Sequence, residues 1–180
     1  MKRIPLIAAG LLLLAGCSRE YLKSGTLSPD FKADRTYSIA VMPIAVRGQA
    51  PEPDLSLRNA AWSRLQSRLM ATGRFKVIDR FKVEQALNVN EFGSTGKVEP
   101  ALARKIAREV GGEMAALLEL EFEQVGGKLQ ATVAEIQMLD VSSDYVVYAG
   151  KGRTANPVSA EAGAELAVEF ATQVLVDKLK

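Results

Sequence analysis

The sequence predicts an α/β sandwich: a mixed sheet, an antiparallel strand meander in its C-terminal half and a closing C-terminal helix. Three observations carry this. Apolar side chains recur at three-to-four spacing in residues 55–73, 100–112 and 159–180, the period of helices that bury one stripe. In "ALLELEFEQV", Leu118, Leu120 and Phe122 alternate with Glu119, Glu121 and Glu123, the period of a strand with one wet face. Gly126 and Gly127 separate that run from a second apolar run, a two-residue hairpin signal.

The elements follow in order. Lys2 and Arg3 precede an apolar run from Ile4 to Ala15. The run is short for a bilayer-spanning helix, which needs about 20 apolar residues, and it fits a secretory signal peptide. It ends in "LAGC": Leu14, Ala15, Gly16 and Cys17. This resembles the bacterial lipobox. Ala15 and Gly16 are small enough for a peptidase groove to reach the Gly16–Cys17 bond, and the Cys17 thiol is the group that takes the lipid. Each buried methylene contributes about 0.8 kcal/mol and one chain alone anchors marginally, so the two or three acyl chains of a bacterial lipoprotein make a stable foot. Ser18 after the cysteine resembles an outer-membrane address. Residues 1–16 are therefore expected to be a signal peptide, and 17–36 a lipidated tether punctuated by Gly25, Ser28 and Pro29. Residues 37–180 form a single domain.

"YSIAVMPIAV" (Tyr37 to Val46) reads as a central strand with Pro43 at its exit or at an irregularity. "RGQAPEPD" is a loop whose Asp54 can cap the next helix. In that helix Leu55, Arg58, Trp62, Leu65 and Leu69 follow one row, Ala61 widens it, and Gly73 ends it. The row puts Trp62 toward the core. "RFKVIDR" (Arg74 to Arg80) is a short strand, "FKVEQALN" a short helix, and "PALARKIAREVGG" a helix stopped by Gly111 and Gly112. After the hairpin, the apolar set of "KLQATVAEIQML" slips from Leu129, Ala131 and Val133 to Ala134, Ile136 and Met138, as a bulge or a change of cover would produce. "YVVYAGKGR" is a third strand. In the last helix Ala162, Leu166, Phe170 and Val174 form one row, and Ala167, Ala171, Leu175 and Leu179 its neighbour. The order is β-α-β-α-α-β-β-β-α.

Composition narrows the chemistry. The chain has no histidine and one cysteine, so an intrachain disulfide, cysteine- or histidine-based zinc sites and Ser-His-Asp or Cys-His catalysis are excluded. Lys2 and Arg3 leave with the signal, and the remaining body is formally neutral against its 21 acidic residues. Nothing there captures nucleic acid. "GSTGK" (Gly93 to Lys97) lacks the first glycine of a phosphate loop, and Val98 replaces its hydroxyl residue. Glu119, Glu121 and Glu123 project together, but alternate strand residues stand about 7 Å apart, too far for one compact ion shell. They read as a solvated face on which a partner can dock. Arg74 and Arg80, flanking the short strand, are the other candidate partner contacts.

"YSIAVMPI", "RLMATGRFKVIDR" and "ALARKIAREVGG", followed by the paired strands, resemble the curli-secretion, TolB amino-terminal-domain and penicillin-binding-protein-activator lipoprotein superfamily. Gly73, Arg74, Phe75, Val77 and Arg80 match one signature, Ala107 and Gly111 another, and Asp140 the aspartate that closes the meander. Gly112 stands where many relatives have alanine, and "VSSDYVVY" lacks their glycine turn. The resemblance implies an assembly or partner-binding module, not an enzyme, without cofactor or metal. It would lie on the periplasmic face of the outer membrane, bound to lipid through Cys17 and to an envelope protein partner, with a homo-oligomer open. The machines implied are secretion, a surface fibre or peptidoglycan synthesis. Curli-secretion relatives add hairpins that build an oligomeric barrel, and no spare segment for them exists here. The alternatives are an oligomeric secretion-channel component and a carboxylate-based periplasmic hydrolase.

Overall fold

A computed structural model describes residues 21–47, 55–89 and 97–180. Leu14, Ala15, Gly16 and Cys17, the Asp54 cap and residues 93–96 of the "GSTGK" loop lie outside the described residues. The strands are β1 (Leu22–Leu27), β2 (Tyr37–Val41), β3 (Ala45–Arg47), β4 (Phe75–Val77), β5 (Met114–Val125), β6 (Lys128–Asp140) and β7 (Val146–Ala155). The helices are α1 (Leu55–Met70), α2 (Arg80–Val89), α3 (Pro100–Glu109) and α4 (Ala160–Leu179). One sheet runs in the order β1-β7-β6-β5-β2-β4, with β3 also paired to β5. β2, β3 and β4 are parallel to their neighbours, and β5, β6, β7 and β1 are antiparallel, so the sheet is mixed as expected.

Both faces of the sheet bury core, but over different areas. Met114, Ala116, Leu118, Leu120 and Phe122 of β5, with Ala134, Ile136 and Met138 of β6, meet α1 and α4 in the larger cluster. On the opposite face, α2 and α3 cover the parallel half and the far end of β6, where Ala40, Met42, Ala115 and Leu139 pack against Val83, Leu87 and Ile106. Among the described residues no helix covers the rest of the antiparallel half of that second face.

Two strands were not legible as such. β1 falls inside the stretch expected to be tether, and pairs with β7 from Leu22↔Arg153 to Leu27↔Tyr148. β3 is the continuation of the first central strand after an irregularity at Pro43. Val41 pairs with Ala116 and Ala45 with Glu119, so four steps on one strand match three on the other. The chain bulges where proline has no amide to donate.

The first helix buries the expected stripe at Ala61, Leu65 and Leu69 and departs from it in its first turn, where Leu57 takes the place of Leu55 and Arg58. Leu57, Ala61, Leu65 and Leu69 are buried, whereas Leu55 is 65% exposed. Arg58 donates instead to the Ile44 carbonyl, and Trp62 is half-buried at the edge of the larger cluster. In α4 the row Ala167, Ala171, Leu175 and Leu179 is core, with Gly163, Ala164 and Val168 beside it. The neighbouring row flanks it: Leu166 is exposed and Phe170 packs against Tyr21 at 5.2 Å. Ser159 caps this helix, its Oγ accepting from the Ala162 amide at 3.1 Å.

The slip in β6 has a change of cover as its cause. Val133↔Glu121 and Ala134↔Leu120 pair without a break, and the bulge lies earlier, between Glu123 and Gln124. Ala131 and Val133 belong to the open face yet are buried. Arg153 of β7 reaches Glu123 of β5 at 2.8 Å, and that bond must cross β6 between them. The arginine stem covers the apolar pair while its charged head stays with the carboxylate.

α4 approaches β7 until backbone meets backbone. A Cβ on Gly152 would lie 2.1 Å from the Ala167 carbonyl oxygen, and one on Gly150 would lie 2.1 Å from that of Ala171. The Tyr148 ring lies along this floor, and its hydroxyl donates to the Ala171 carbonyl at 2.5 Å. A Cβ on Gly25 of β1 would meet that same hydroxyl at 2.5 Å. Burial pushes the Tyr148 phenol up to about 12. Glycine in these strands marks close approach, not weakness.

Gly152→Val should therefore destabilise the fold by about 3 kcal/mol or more, the upper end of overpacking costs, because backbone cannot yield as a side chain does. Lys151→Val, one position away on the open face, should change it by about 0.5 kcal/mol or less. Urea denaturation followed by circular dichroism measures both.

Candidate functional site

The open half-face is built from alternate residues of neighbouring strands. Register sets Glu121 opposite Val133, which stands opposite Arg153. The next row places Glu119 opposite Glu135, and Glu135 opposite Lys151. Arg47 of β3 lies opposite Glu121 and bonds Glu119. Two glutamates directly across a strand pair repel. Cations from both sides relieve that repulsion. Arg47 and Lys97 bracket Glu119, the lysine at 3.6 Å, and Lys151 holds Glu135 at 2.6 Å. The bond to Glu119 raises the Arg47 pKa. The Arg153 hydrogen bond lowers that of Glu123 against a smaller opposing effect of burial, and the charges of Arg153 and Lys151 add to the lowering.

Each of these exposed pairs contributes about 0–1 kcal/mol, so the rows do little for stability. What they fix is a pattern of sign across a flat surface. A cavity of about 210 Å³ opens where this surface meets the start of α3, lined by Pro43, Ala45, Lys97, Pro100, Leu117 and Glu119 among others. Among the described residues no group of three or more His, Cys, Asp or Glu side chains could hold a metal ion. The glutamate comb is divided among separate cations.

The opposite end of the sheet carries a second concave region. Asp140 ends β6, and its Oδ1 accepts from the Ser142 and Ser143 amides at 2.7 and 2.8 Å and from both hydroxyls. This side chain builds the turn without a glycine. Burial works to raise the Asp140 pKa, but the bonds from Ser142 and Ser143 together outweigh it and hold the carboxyl below its ordinary value. From α3, Arg104 donates to the Asp140 and Asp144 carbonyls and Arg108 to that of Val141, clamping the turn. Glu113 is fixed by Arg35 and by the Ser38 amide at 3.0 Å. Arg35 also lies over the Tyr37 ring, 4.3 Å from its centroid.

Between these groups lies a cleft of about 460 Å³, lined among others by Asp30, Lys32, Arg35, Arg108, Glu113 and Asp140. Tyr145, 75% exposed, stands at the rim of the adjoining hollow. Three carboxylates thus share one wall. Glu113 and Asp140 are already occupied, and Asp140 is driven toward the ionised form, the wrong direction for a general acid.

The two expected arginines lie elsewhere. Arg80 bonds Glu84 and Asn59, both at 2.6 Å, and its guanidinium sits 5.5 Å from the Trp62 ring centroid. It ties α2 to α1. The Arg74 carbonyl accepts from the Tyr37 amide where β4 enters the sheet. β2 separates this edge from the strand that carries Glu119, Glu121 and Glu123. The structure therefore gathers the glutamates with Arg47, Lys97, Glu135, Lys151 and Arg153, and leaves Arg74 and Arg80 apart. Lys151 and Arg153 had a signal in the sequence, since they alternate with glycines at the same period as the acids.

No protein-family model matches the sequence, and no curated protein matches it. Among solved structures, the chain is similar to PelC from Paraburkholderia phytofirmans, which forms a dodecamer. Identity is 14% and TM-score 0.53, over 86% of this chain and 96% of that one. It is also similar to the C-terminal domain of LpoB from Escherichia coli, at 18% identity and TM-score 0.51, over 66% of this chain and 82% of that one. These likenesses show the fold alone: the chain shares its architecture with these two solved structures.

The lowered Asp140 pKa has a consequence for acid stability. Its stabilisation is fully present above the unfolded carboxylate value, about pH 4, and is lost as pH falls through the lower folded value. Asp140→Asn should cost about 1–2 kcal/mol at pH 7, and the gap from the parent should narrow below about pH 4. Urea titrations at pH 7 and pH 3 read this difference.

Proposed function

We propose that the chain is an exported lipoprotein, cut between Gly16 and Cys17 and held by acylated Cys17 in the outer membrane. Its α/β body then faces the periplasm as a docking and assembly module for another component of an envelope machine. The observation that carries this is the open half-face. The sheet is backed by α4 on one side and, among the described residues, left uncovered on the other, over rows in which glutamates in the middle are flanked by cations at the edges. Such a surface selects a partner by complementary sign and speeds encounter more than it adds raw affinity. Anchoring adds to this by raising local concentration, so that a weak contact suffices.

The chemistry of the carboxylates favours this reading over a hydrolase. A glycosidase-like pair needs one carboxyl raised toward neutrality, whereas the resolved carboxyl shifts, at Glu123 and Asp140, both go down. A second reading is self-assembly, which the likeness to a dodecameric protein over nearly all of that chain favours. A barrel built from β5 and β6 is disfavoured. They are long enough at 12 and 13 residues, but their apolar sides are buried under α1 and α4.

One experiment separates these. A photocrosslinking residue replaces Glu121 in the full-length chain, in the parent and in Cys17→Ser, and intact envelopes are irradiated. The parent should incorporate fatty acid and give a discrete adduct with an envelope protein, and Cys17→Ser should lose the label and most of the adduct. Adducts at multiples of the chain's own mass would establish self-assembly instead. Unchanged fatty-acid labelling of Cys17→Ser would refute the anchor.

A further inference from the structure

We propose that the end of the sheet where β1 begins is the seat of the domain on the lipid surface, with the exposed apolar residues of that end entering the headgroup layer. The inference rests on the anchoring reading above and adds an orientation to it.

Chain length sets the first constraint. β1 opens at Leu22, so only residues 18–21 separate Cys17 from the sheet. Cys17 to Tyr21 spans at most about 14 Å when fully extended. A headgroup layer takes up about 6 Å of that. The domain therefore has no long leash, and whatever lies beside Leu22 lies against the membrane. Register sets Leu22 level with Glu121, so the far end of the sheet at Met114 is about 23 Å away along β5, and the hairpin tip at Val125 projects about 13 Å the other way, toward the lipid.

Strand direction sets the second. β5 ends, β6 begins, β7 ends and β1 begins at this same end, and α4 starts there too. The arrangement gathers Tyr21, Leu22, Val125, Val158 and Leu166, half of the exposed large apolar side chains among the described residues. Val158 is 96% exposed and Val125 68%. Their sites are a hairpin tip and the link between β7 and α4. Lys128 supplies an exposed cation at the hairpin. Tyr21 stacks edge-on against Phe170 of α4, an amphipathic ring placed as aromatic residues sit at membrane interfaces.

The competing orientation lays the open half-face on the lipid. That would strip water from the ion pairs of Glu119, Glu123 and Glu135, a cost that their mutual attraction does not repay. Seating by the apolar end keeps those rows wet and points the cleft at Asp140 and Tyr145 into the periplasm.

The test uses the thiol chemistry of the chain itself. Its only cysteine is consumed by acylation, so one introduced cysteine is the sole reactive thiol. Acylated full-length protein carrying Val125→Cys, Val158→Cys or Tyr145→Cys is labelled with an environment-sensitive fluorophore. Each is reconstituted into vesicles of phosphatidylethanolamine with a minor share of phosphatidylglycerol, with and without a nitroxide-bearing lipid. Mass spectrometry first establishes acylation, and flotation establishes binding. Labels at 125 and 158 should shift blue on binding and be quenched several-fold more than the label at 145. Equal quenching at all three sites, or stronger quenching at 145, overturns the seat while leaving the anchor intact. A blue-shifted label at 125 or 158 without vesicles means a second copy covers this end, and also overturns it. Protein that is not acylated and does not float defeats the anchoring reading instead.

Discussion

The contact on which the rest of the structure depends is the meeting of Tyr148, Gly25, Gly150 and Ala171. The tyrosine ring needs a floor without side chains, and the two glycines of neighbouring strands supply it. Its hydroxyl needs an acceptor once buried, and the Ala171 carbonyl provides one at 2.5 Å. One side chain thereby ties β1, β7 and α4 together. Gly152 extends the same contact by letting Ala167 come down onto the strand. With α4 fixed at that distance, the inner residues of β5 and β6 fill the space beneath it, and α1 closes the layer.

The same constraint decides which surface is left for other molecules. The close approach of Ala167 and Ala171 commits α4 to one face of the sheet. On the other face, α2 and α3 follow the parallel strands and reach no further, because their apolar stripes are matched by Ala40, Met42, Ala115 and Leu139. Among the described residues no helix covers the rest of the antiparallel half. It solves the exposure by charge, with cations flanking the glutamates and with the Arg153 stem lying over Ala131 and Val133. Such a face is soluble and specific at once, since a partner must reproduce the order of signs to displace the internal pairs. α3 links the two candidate regions: its start borders the 210 Å³ cavity, and Arg104 and Arg108 further along hold the turn at Asp140.

Most of the architecture was legible because period and punctuation agreed. The alternation of β5, the double glycine after it and the four-residue rows of α3 and α4 each had one reading. The failures share a physical cause. β1 was hidden because its key residue, Gly25, looks like a loop breaker when the tyrosine that needs it lies more than a hundred residues away. The stripe of α1 holds at Ala61, Leu65 and Leu69 but shifts in the first turn, because Arg58 finds the Ile44 carbonyl and Trp62 finds a cation at the border of the core. The turn at Asp140 looked incomplete without glycine, but two serines and one carboxylate build it. As for the site, the glutamate comb could be read from the strand period. Its cations could not be assigned, because they come from β3, from β7 and from the segment before α3, and only the sheet order brings them together.

The central claim is that the folded body starts at Leu22, joined to the plate of the sheet by the Tyr148 contact, so that Leu22–Leu27 is a strand of the sheet and not a tether. Hydrogen exchange on the full-length protein measures this directly. The account predicts that peptides covering Leu22–Leu27 exchange as slowly as those covering Val146–Ala155, and that Tyr148→Ala releases the first set before the second. Exchange of Leu22–Leu27 at the rate of an unstructured peptide, with Val146–Ala155 still protected, would contradict it.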